Sequence, residues 1–292
     1  MLHKLSTENN SVVGVYLSGK VLMAGKVKNN VVEKQVTKQI NNLEVEEVIL
    51  KEVMDAIEEV IDDEVVGIGV GAPSLVDVNQ GVVFKVHSIP SWREVHLGTI
   101  IEGRFGVKAY INNDANCFAV GEKYFGTAQQ YNNIVGLIIG AGFGAGIVFN
   151  GHLFSGHNCG AGEFGSIPYR DYDYEHYCSA SYFDEKYGIK TDVLFERAQK
   201  QDKIALAVFE QFGFDLGNAI KTIMYSVDPE VVVIGGGLSK AFTFFEKAMW
   251  KTVKTFMYEH AQQKLKILQS EQADIAILGA AALYFDAKNK IF

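Results

Sequence analysis

The chain has 292 residues, 48% apolar and 21% charged, with a formal net charge of −8. That length exceeds what one hydrophobic core usually fills, so about two domains are expected, and the composition is ordinary for a soluble globular protein. The acidic balance excludes nucleic acid as a main partner, because phosphate backbones select basic surfaces, but leaves open a small phosphorylated ligand that needs only local donors. Cys117, Cys159 and Cys178 form no CxxC pair, so neither a disulfide framework nor a thiolate zinc site is expected, and a reducing cytoplasm fits. The opening MLHKLSTENN lacks the apolar segment of a signal peptide. The longest apolar run, Ile134 to Phe149, is broken by five glycines and falls short of the roughly 20 residues that cross a bilayer. No membrane partner is expected.

Ser11 to Leu17 and Val21 to Val27 read as antiparallel strands around a Ser18-Gly19 turn, and Val31 to Thr37 as a third. Leu43 to Ile61 places Val45, Ile49, Val53, Ile57 and Ile61 at four-residue spacing, the pattern of an amphipathic helix. Val65 to Val70 is a buried strand ended by Gly71-Ala72-Pro73, and Gly81 to Phe84 a hairpin partner followed by a turn at Pro90. Trp92 to Arg104 is expected to be helical, Val107 to Ile111 a strand, and Ala115 to about Phe125 a helix after Asn112-Asn113-Asp114. The pattern then restarts. Ile134 to Ile139, a glycine turn and Gly146 to Phe149 repeat the opening hairpin. An irregular stretch follows, then a long helix from Ile204 to Met224, broken at Asp228-Pro229. Val231 to Ile234 is a strand, Gly235-Gly236-Gly237 turns into a helix from about Ser239, and Ala273 to Ile277 is a last strand before Gly279 and a terminal helix. This is a duplicated α/β architecture whose halves enclose a cleft.

The chemistry concentrates where strands end. Asp114 sits between a strand and a helix. It or Asn113 would serve as a helix cap, and Asp114 equally as a general base taking a hydroxyl proton during phosphoryl transfer. Glu163, bracketed by Ala161-Gly162 and Gly165, and Glu175 are carboxylates suited to accept hydrogen bonds from vicinal hydroxyls, although exposed glutamates commonly do nothing. Gly140, Gly142, Gly144 and Gly146 alternate with small or apolar residues, as a tight turn with amides open to an anion requires; a strained hairpin without a ligand explains them as well. Gly235-Gly236-Gly237 is either a plain strand–helix turn or a close backbone approach to a nucleotide. His152, His157 and Cys159 have no second cluster at ligand spacing, so no metal site in the protein is expected.

Together these segments resemble the ROK family of bacterial sugar kinases (repressors, open reading frames, kinases), with glucokinase-like and N-acylmannosamine-kinase-like members. The resemblance runs from about Val12 to Ala282 on INNDAN with Asp114, GAGFGAG, GAGEFG with Glu163, DPEVVVIGGGLS, and GVGAPSLVD with the later IPSW. It implies the duplicated actin-like ATPase fold, hexokinase-type and RNase H-like, with an α/β domain over 1–115, a larger one over 116–278, and a helix of about 279–292 packing back on the first. It implies a sugar kinase using ATP and Mg2+, with Asp114 as the base and Asn113, Glu163, Glu175 and Gly71 on the sugar. Gly19, Lys20, Gly140, Ala141, Gly142 and Gly144 would meet the phosphates, and Gly235, Gly236 and Gly237 the adenosine. A cytoplasmic homodimer follows from the same resemblance.

The departures are as specific. The family's first phosphate loop, Asp-x-Gly-Gly-Thr, is here Tyr16-Leu17-Ser18-Gly19-Lys20, and Ala141 stands where the second loop usually has threonine. Ser166 replaces the zinc histidine of many members, and IPYRDYDYEHYCSASYF their cysteine-rich loop, so no structural zinc is expected; the tyrosines of that segment would hold it instead. With about ten residues before the first strand, DNA binding is not expected. A catalytically weakened sugar-binding or regulatory protein is the alternative to the kinase.

Overall fold

A computed structural model describes residues 10–290. The first half opens with β1 (Ser11–Leu17), β2 (Val21–Lys28), β3 (Val31–Gln39) and α1 (Glu46–Val60). It continues with β4 (Val65–Ala72), the short strands β5 (Leu75–Asp77), β6 (Val82–Phe84) and β7 (Glu94–Val95), then α2 (Leu97–Phe105) and β8 (Lys108–Asn113). Helix α3 (Asp114–Tyr124) leads to β9 (Ile134–Ile139), β10 (Phe143–Phe149) and β11 (His152–Phe154). The stretch expected to be irregular carries β12 (Pro168–Tyr169), β13 (Tyr172–Asp173), α4 (Tyr174–Tyr177), α5 (Ala180–Tyr187) and α6 (Thr191–Gln199). Helix α7 (Lys203–Val227), β14 (Val231–Gly235), α8 (Phe242–Val253), α9 (Glu259–Lys264), β15 (Lys266–Gln269) and α10 (Ile275–Asn289) complete it.

The duplication is explicit in the sheets. One has the order β3-β2-β1-β4-β8, the other β11-β10-β9-β14-β15. In each, three antiparallel strands precede two that join in parallel through helices. Val13, Val15 and Leu17 of β1 pack against Ile49, Val53 and Ile57 of α1, which the four-residue spacing put on one helix face. The core of the second sheet is built on α7, where Phe209, Phe212, Leu216, Ile220 and Ile223 are buried. Asp202 caps that helix by accepting the Ala205 N–H at 2.9 Å.

Two helices fill the space between the sheets. Helix α3 leaves the first sheet and packs on β9 and β10, whereas α10 follows the second sheet and packs on β1 and β4. Bare backbone makes this possible. A Cβ on Gly14 would lie 2.0 Å from the Ile277 carbonyl oxygen, and one on Gly69 1.8 Å from that of Ala280. Where the helices cross, a Cβ on Gly121 would sit 2.6 Å from Gly279 Cα.

Two sequence expectations fail here. Ala273 to Ile277 is no strand: β15 lies upstream at Lys266–Gln269, and Ile275 already belongs to α10. Helix α10 is buried by the first sheet on one side and α3 on the other, so its apolar residues surround it without a helical period. Trp92 to Arg104 is helical only from Leu97. Trp92, 1% exposed in the first core, closes a turn onto Ile89, and Val95 pairs with Val83.

Gly279→Val forces a branched side chain into the helix crossing and is expected to cost about 1–3 kcal/mol. Gly103→Ala, where an added Cβ meets nothing within 4 Å on the exposed face of α2, is expected to stabilise by about 0.5–1 kcal/mol. Urea unfolding midpoints check both, and equal midpoints for the two variants would contradict the packing argument.

Candidate active site

Strand β8 delivers Asn113 and Asp114 to the seam between the sheets. Asn113 is the N-cap of α3: its Oδ1 accepts the Ala115 N–H at 2.8 Å, and its Nδ2 donates to the Ser74 carbonyl at 3.1 Å. Capping therefore falls chiefly to Asn113. Asp114 Oδ1 accepts from the same amide at 2.9 Å. Burial raises the Asp114 carboxyl to about 6; backbone amides pull it down and the charge of Glu163 pushes it up. Tyr16 faces it from β1, its phenol pushed up to about 12 first by burial and then by the Asp114 charge. Gly71 closes this end of the site. A Cβ there would stand 3.1 Å from Cys117 Sγ and 3.7 Å from Asp114 Cα.

Glu163 ends the loop after β11. Its carboxyl is raised, first by desolvation and then by Glu175. Glu175, in the first turn of α4, accepts the Phe143 N–H on Oε2 at 2.9 Å. Asp114, Glu163 and Glu175 thus stand in electrostatic series from the first sheet toward the second. A node that sequence reading did not single out anchors the Glu163 loop. Asn112 Oδ1 accepts from Asn116 Nδ2 (2.9 Å), the Cys159 thiol (3.2 Å) and the Asn113 amide (2.8 Å), while its Nδ2 donates to Ser155 Oγ at 3.3 Å. Its only sequence signal was that Asn112 and Asn116 flank the Asn-Asp pair.

The glycine turns meet beyond Glu175. Gly140 donates to the Gly142 carbonyl at 3.0 Å, and a Cβ on Gly140 would lie 3.9 Å from the Gly237 amide nitrogen. Gly236 has φ 84°, and a Cβ there would lie 2.4 Å from the Ile139 carbonyl oxygen. Gly144 and Gly235 face α3 instead, toward Ala115 and the Phe118 ring. Ala141 sits in the turn between Gly140 and Gly142. On the opposite sheet the Tyr16-to-Lys20 segment turns at Gly19, which packs against Ser88, and Lys20 is exposed.

Aromatic packing holds the segment carrying Glu175. Tyr169 stacks on Tyr174 with centroids 4.5 Å apart and meets Tyr177 edge-on at 5.6 Å. Fully buried Asp215 of α7 accepts from Tyr169 Oη (2.9 Å) and Arg170 Nη2 (2.5 Å), and the Arg170 guanidinium lies over both tyrosine rings. Of the tyrosines expected to hold this loop, Tyr172 contributes least: it is 60% exposed and stacks on His176. Arg170 and Asp215 had no sequence signal, being 45 residues apart with no shared motif. Among the described residues, no group of three or more His, Cys, Asp or Glu is arranged to hold a metal ion, and no helix is long and apolar enough to cross a membrane.

A family profile matches residues 13–287. The chain belongs to the ROK family. A glucokinase from Thermotoga maritima is 27% identical and is matched over 93% of this chain and 96% of its own length. A xylose repressor from Bacillus spizizenii is 29% identical over 70% of this chain, which spans 57% of the repressor. A ROK family glucokinase from Streptomyces griseus, solved in complex with glucose and AMPPNP, superposes with a TM-score of 0.79 at 22% identity, covering 94% of this chain and 99% of that one. The two matching sheets and their crossing helices are the actin-like ATPase fold of ROK sugar kinases.

Because Asp114 ionises at about 6 when folded against an ordinary 3.8, the folded state holds its proton more tightly than the unfolded chain does. Stability is lost as pH rises through that interval and the penalty is complete above about 6, amounting to roughly 2–3 kcal/mol. Asp114→Asn should therefore raise the unfolding midpoint at pH 7, with the gain shrinking toward pH 4. A gain independent of pH would show that the carboxyl is not held in this way.

Proposed function

We propose that this ROK protein transfers the γ-phosphoryl group of ATP to a hydroxyl of a hexose or N-acylhexosamine, with Asp114 as general base. The observation carrying this reading is a carboxyl raised to about 6 at the mouth of the seam, in electrostatic contact with Glu163 and through it with Glu175. A base of that strength is ionised at neutral pH yet accepts a proton far more readily than an ordinary aspartate. The sugar hydroxyl gives its proton to Asp114 as its oxygen attacks the γ-phosphorus, and ADP leaves. Glu163 and Glu175 accept hydrogen bonds from neighbouring hydroxyls, and Asn113 has one amide hydrogen left for the sugar once Ser74 has taken the other.

The bare turn at Gly140 to Gly142, with Gly237 beside it, fits a phosphate chain, since a side chain would fill that space. Gly236 and Gly237, exposed at the end of β14, then border the adenosine. Magnesium neutralises charge on the transferring phosphate when bound. Tyr16 offers no carboxylate to draw the ion in, so the nucleotide's own phosphates carry it. Domains of 1–115 and 116–278, with the terminal helix packed on the first, close over the sugar and exclude water. A cytoplasmic homodimer, as the family resemblance implies, completes this reading.

A second reading, a sugar-responsive regulator with little turnover, is favoured by one observation. Half-buried Tyr16 stands beside Asp114 in the position of the family's loop aspartate.

ADP release with Mg-ATP and a panel including glucose and N-acetyl-D-glucosamine separates the two. The kinase reading expects Asp114→Asn to lower kcat by about 10²-fold or more, and the wild-type rate to fall as pH drops through about 6, where Asp114 takes up its proton. Negligible release from both proteins across the panel sinks it. Turnover appearing only in Tyr16→Asp/Lys20→Thr favours the regulator.

A further inference from the structure

Three hydrogen bonds run from one short segment into one turn. Glu175 Oε2 accepts the Phe143 amide at 2.9 Å, the Ala180 amide donates to the Gly140 carbonyl at 2.7 Å, and Ser181 Oγ donates to the Ala141 carbonyl at 2.7 Å. Residues 140, 141 and 143 are thus each held from the stretch 175–181, whereas inside the turn a single bond, Gly140 N–H to the Gly142 carbonyl, closes it. The donor segment is itself fixed at its start. Asp173 caps α4 by accepting the His176 amide at 2.8 Å, which seats Glu175 in the first turn of that helix. Gly142 belongs to the same contact, because a Cβ there would stand 2.8 Å from Glu175 Oε2. The turn is bare where the carboxylate crosses it.

A carboxylate offers about four acceptor positions, and the Phe143 amide takes one. Glu175 is exposed and close enough to Glu163 for its charge to raise that carboxyl. A hydroxyl placed between the two glutamates would donate to Glu175 and relieve the repulsion between them. The side chain that meets such a hydroxyl is the one that orients the Phe143 amide.

We propose that Glu175 and Ser181 are positioning residues that couple the sugar subsite to the phosphate turn. A sugar hydroxyl fixes the Glu175 carboxylate, the carboxylate fixes the Phe143 amide, and Ala180 and Ser181 hold the carbonyl side of the same turn. The identity of the two ligands rests on the kinase reading; the mechanical link does not. Coupling of this kind is reciprocal: sugar tightens nucleotide by the factor by which nucleotide tightens sugar.

Ser181→Ala is the informative variant, because Glu175→Gln alters the sugar subsite directly. Two measurements are made with glucose and N-acetyl-D-glucosamine as probes. The first is calorimetric titration of Mg-AMPPNP with and without saturating sugar. The second is hydrogen exchange at the amides of residues 140–144 with and without sugar, which needs no nucleotide. In the wild type, sugar should raise AMPPNP affinity by about 5-fold or more and slow exchange across 140–144. In Ser181→Ala, sugar affinity should persist while both responses shrink. A sugar that binds the wild type without changing exchange at 140–144, or a Ser181→Ala protein responding as the wild type does, overturns the coupling. Sugar-dependent protection of the turn with no AMPPNP binding would uphold the coupling and sink the kinase reading.

Discussion

Contact between two helix backbones sets the spacing of the whole molecule. Helices α3 and α10 cross at Gly121 and Gly279, so closely that a Cβ on either would meet the other's main chain. Each helix also lies on a sheet whose strands are bare beneath it, at Gly14 and Gly69 for α10 and at Gly136 and Gly146 for α3. Dispersion is strongest where heavy atoms touch, so a glycine-to-glycine crossing exchanges side-chain burial for close backbone contact. It also fixes the site. Asp114 is the first residue of α3, and the spacing of the crossing determines how far that carboxylate stands from Glu163 and the glycine turns of the second sheet.

The same geometry accounts for the electrostatics. Three carboxylates are brought into series across the seam, and the result is a raised carboxyl at Asp114, chiefly by burial, and another at Glu163. Such an arrangement costs stability, which belongs to sites selected for chemistry or binding rather than for packing. Tyr16 belongs to the same set: its phenol, raised first by burial and then by the Asp114 charge, stays un-ionised where a second acid would have added repulsion.

Much of the fold was legible because the signals were local. The glycine-turn hairpins at Ser18-Gly19 and at 140–142, the four-residue spacing of Ile49, Val53 and Ile57, and the strand-to-helix transition at Asp114 all appear where the sequence put them. Helix α10 was misread at its start because burial on both sides removes the polar face that marks a helix. The tie from Glu175 to Phe143, the Asn112 node and the Arg170–Asp215 pair join residues tens of positions apart, and a single sequence carries no pattern for such contacts. The candidate carboxylates and glycine turns were therefore readable one by one. Which side chain holds which was not.

The stacked tyrosines around Arg170 and Asp215 bear on conditions as well as geometry. A loop organised by a metal ion loses its order when its ligands are protonated or the ion is withdrawn. Order that comes from ring packing around a guanidinium held on the buried Asp215 carboxylate follows the temperature dependence of apolar hydration and weakens on cooling. Burial and the neighbouring Asp215 charge hold the Tyr169 phenol un-ionised well above neutral pH, so this phenol does not titrate in the range where Asp114 does. Asp114 can change protonation while the stacked Tyr169 in the loop beyond it keeps its proton.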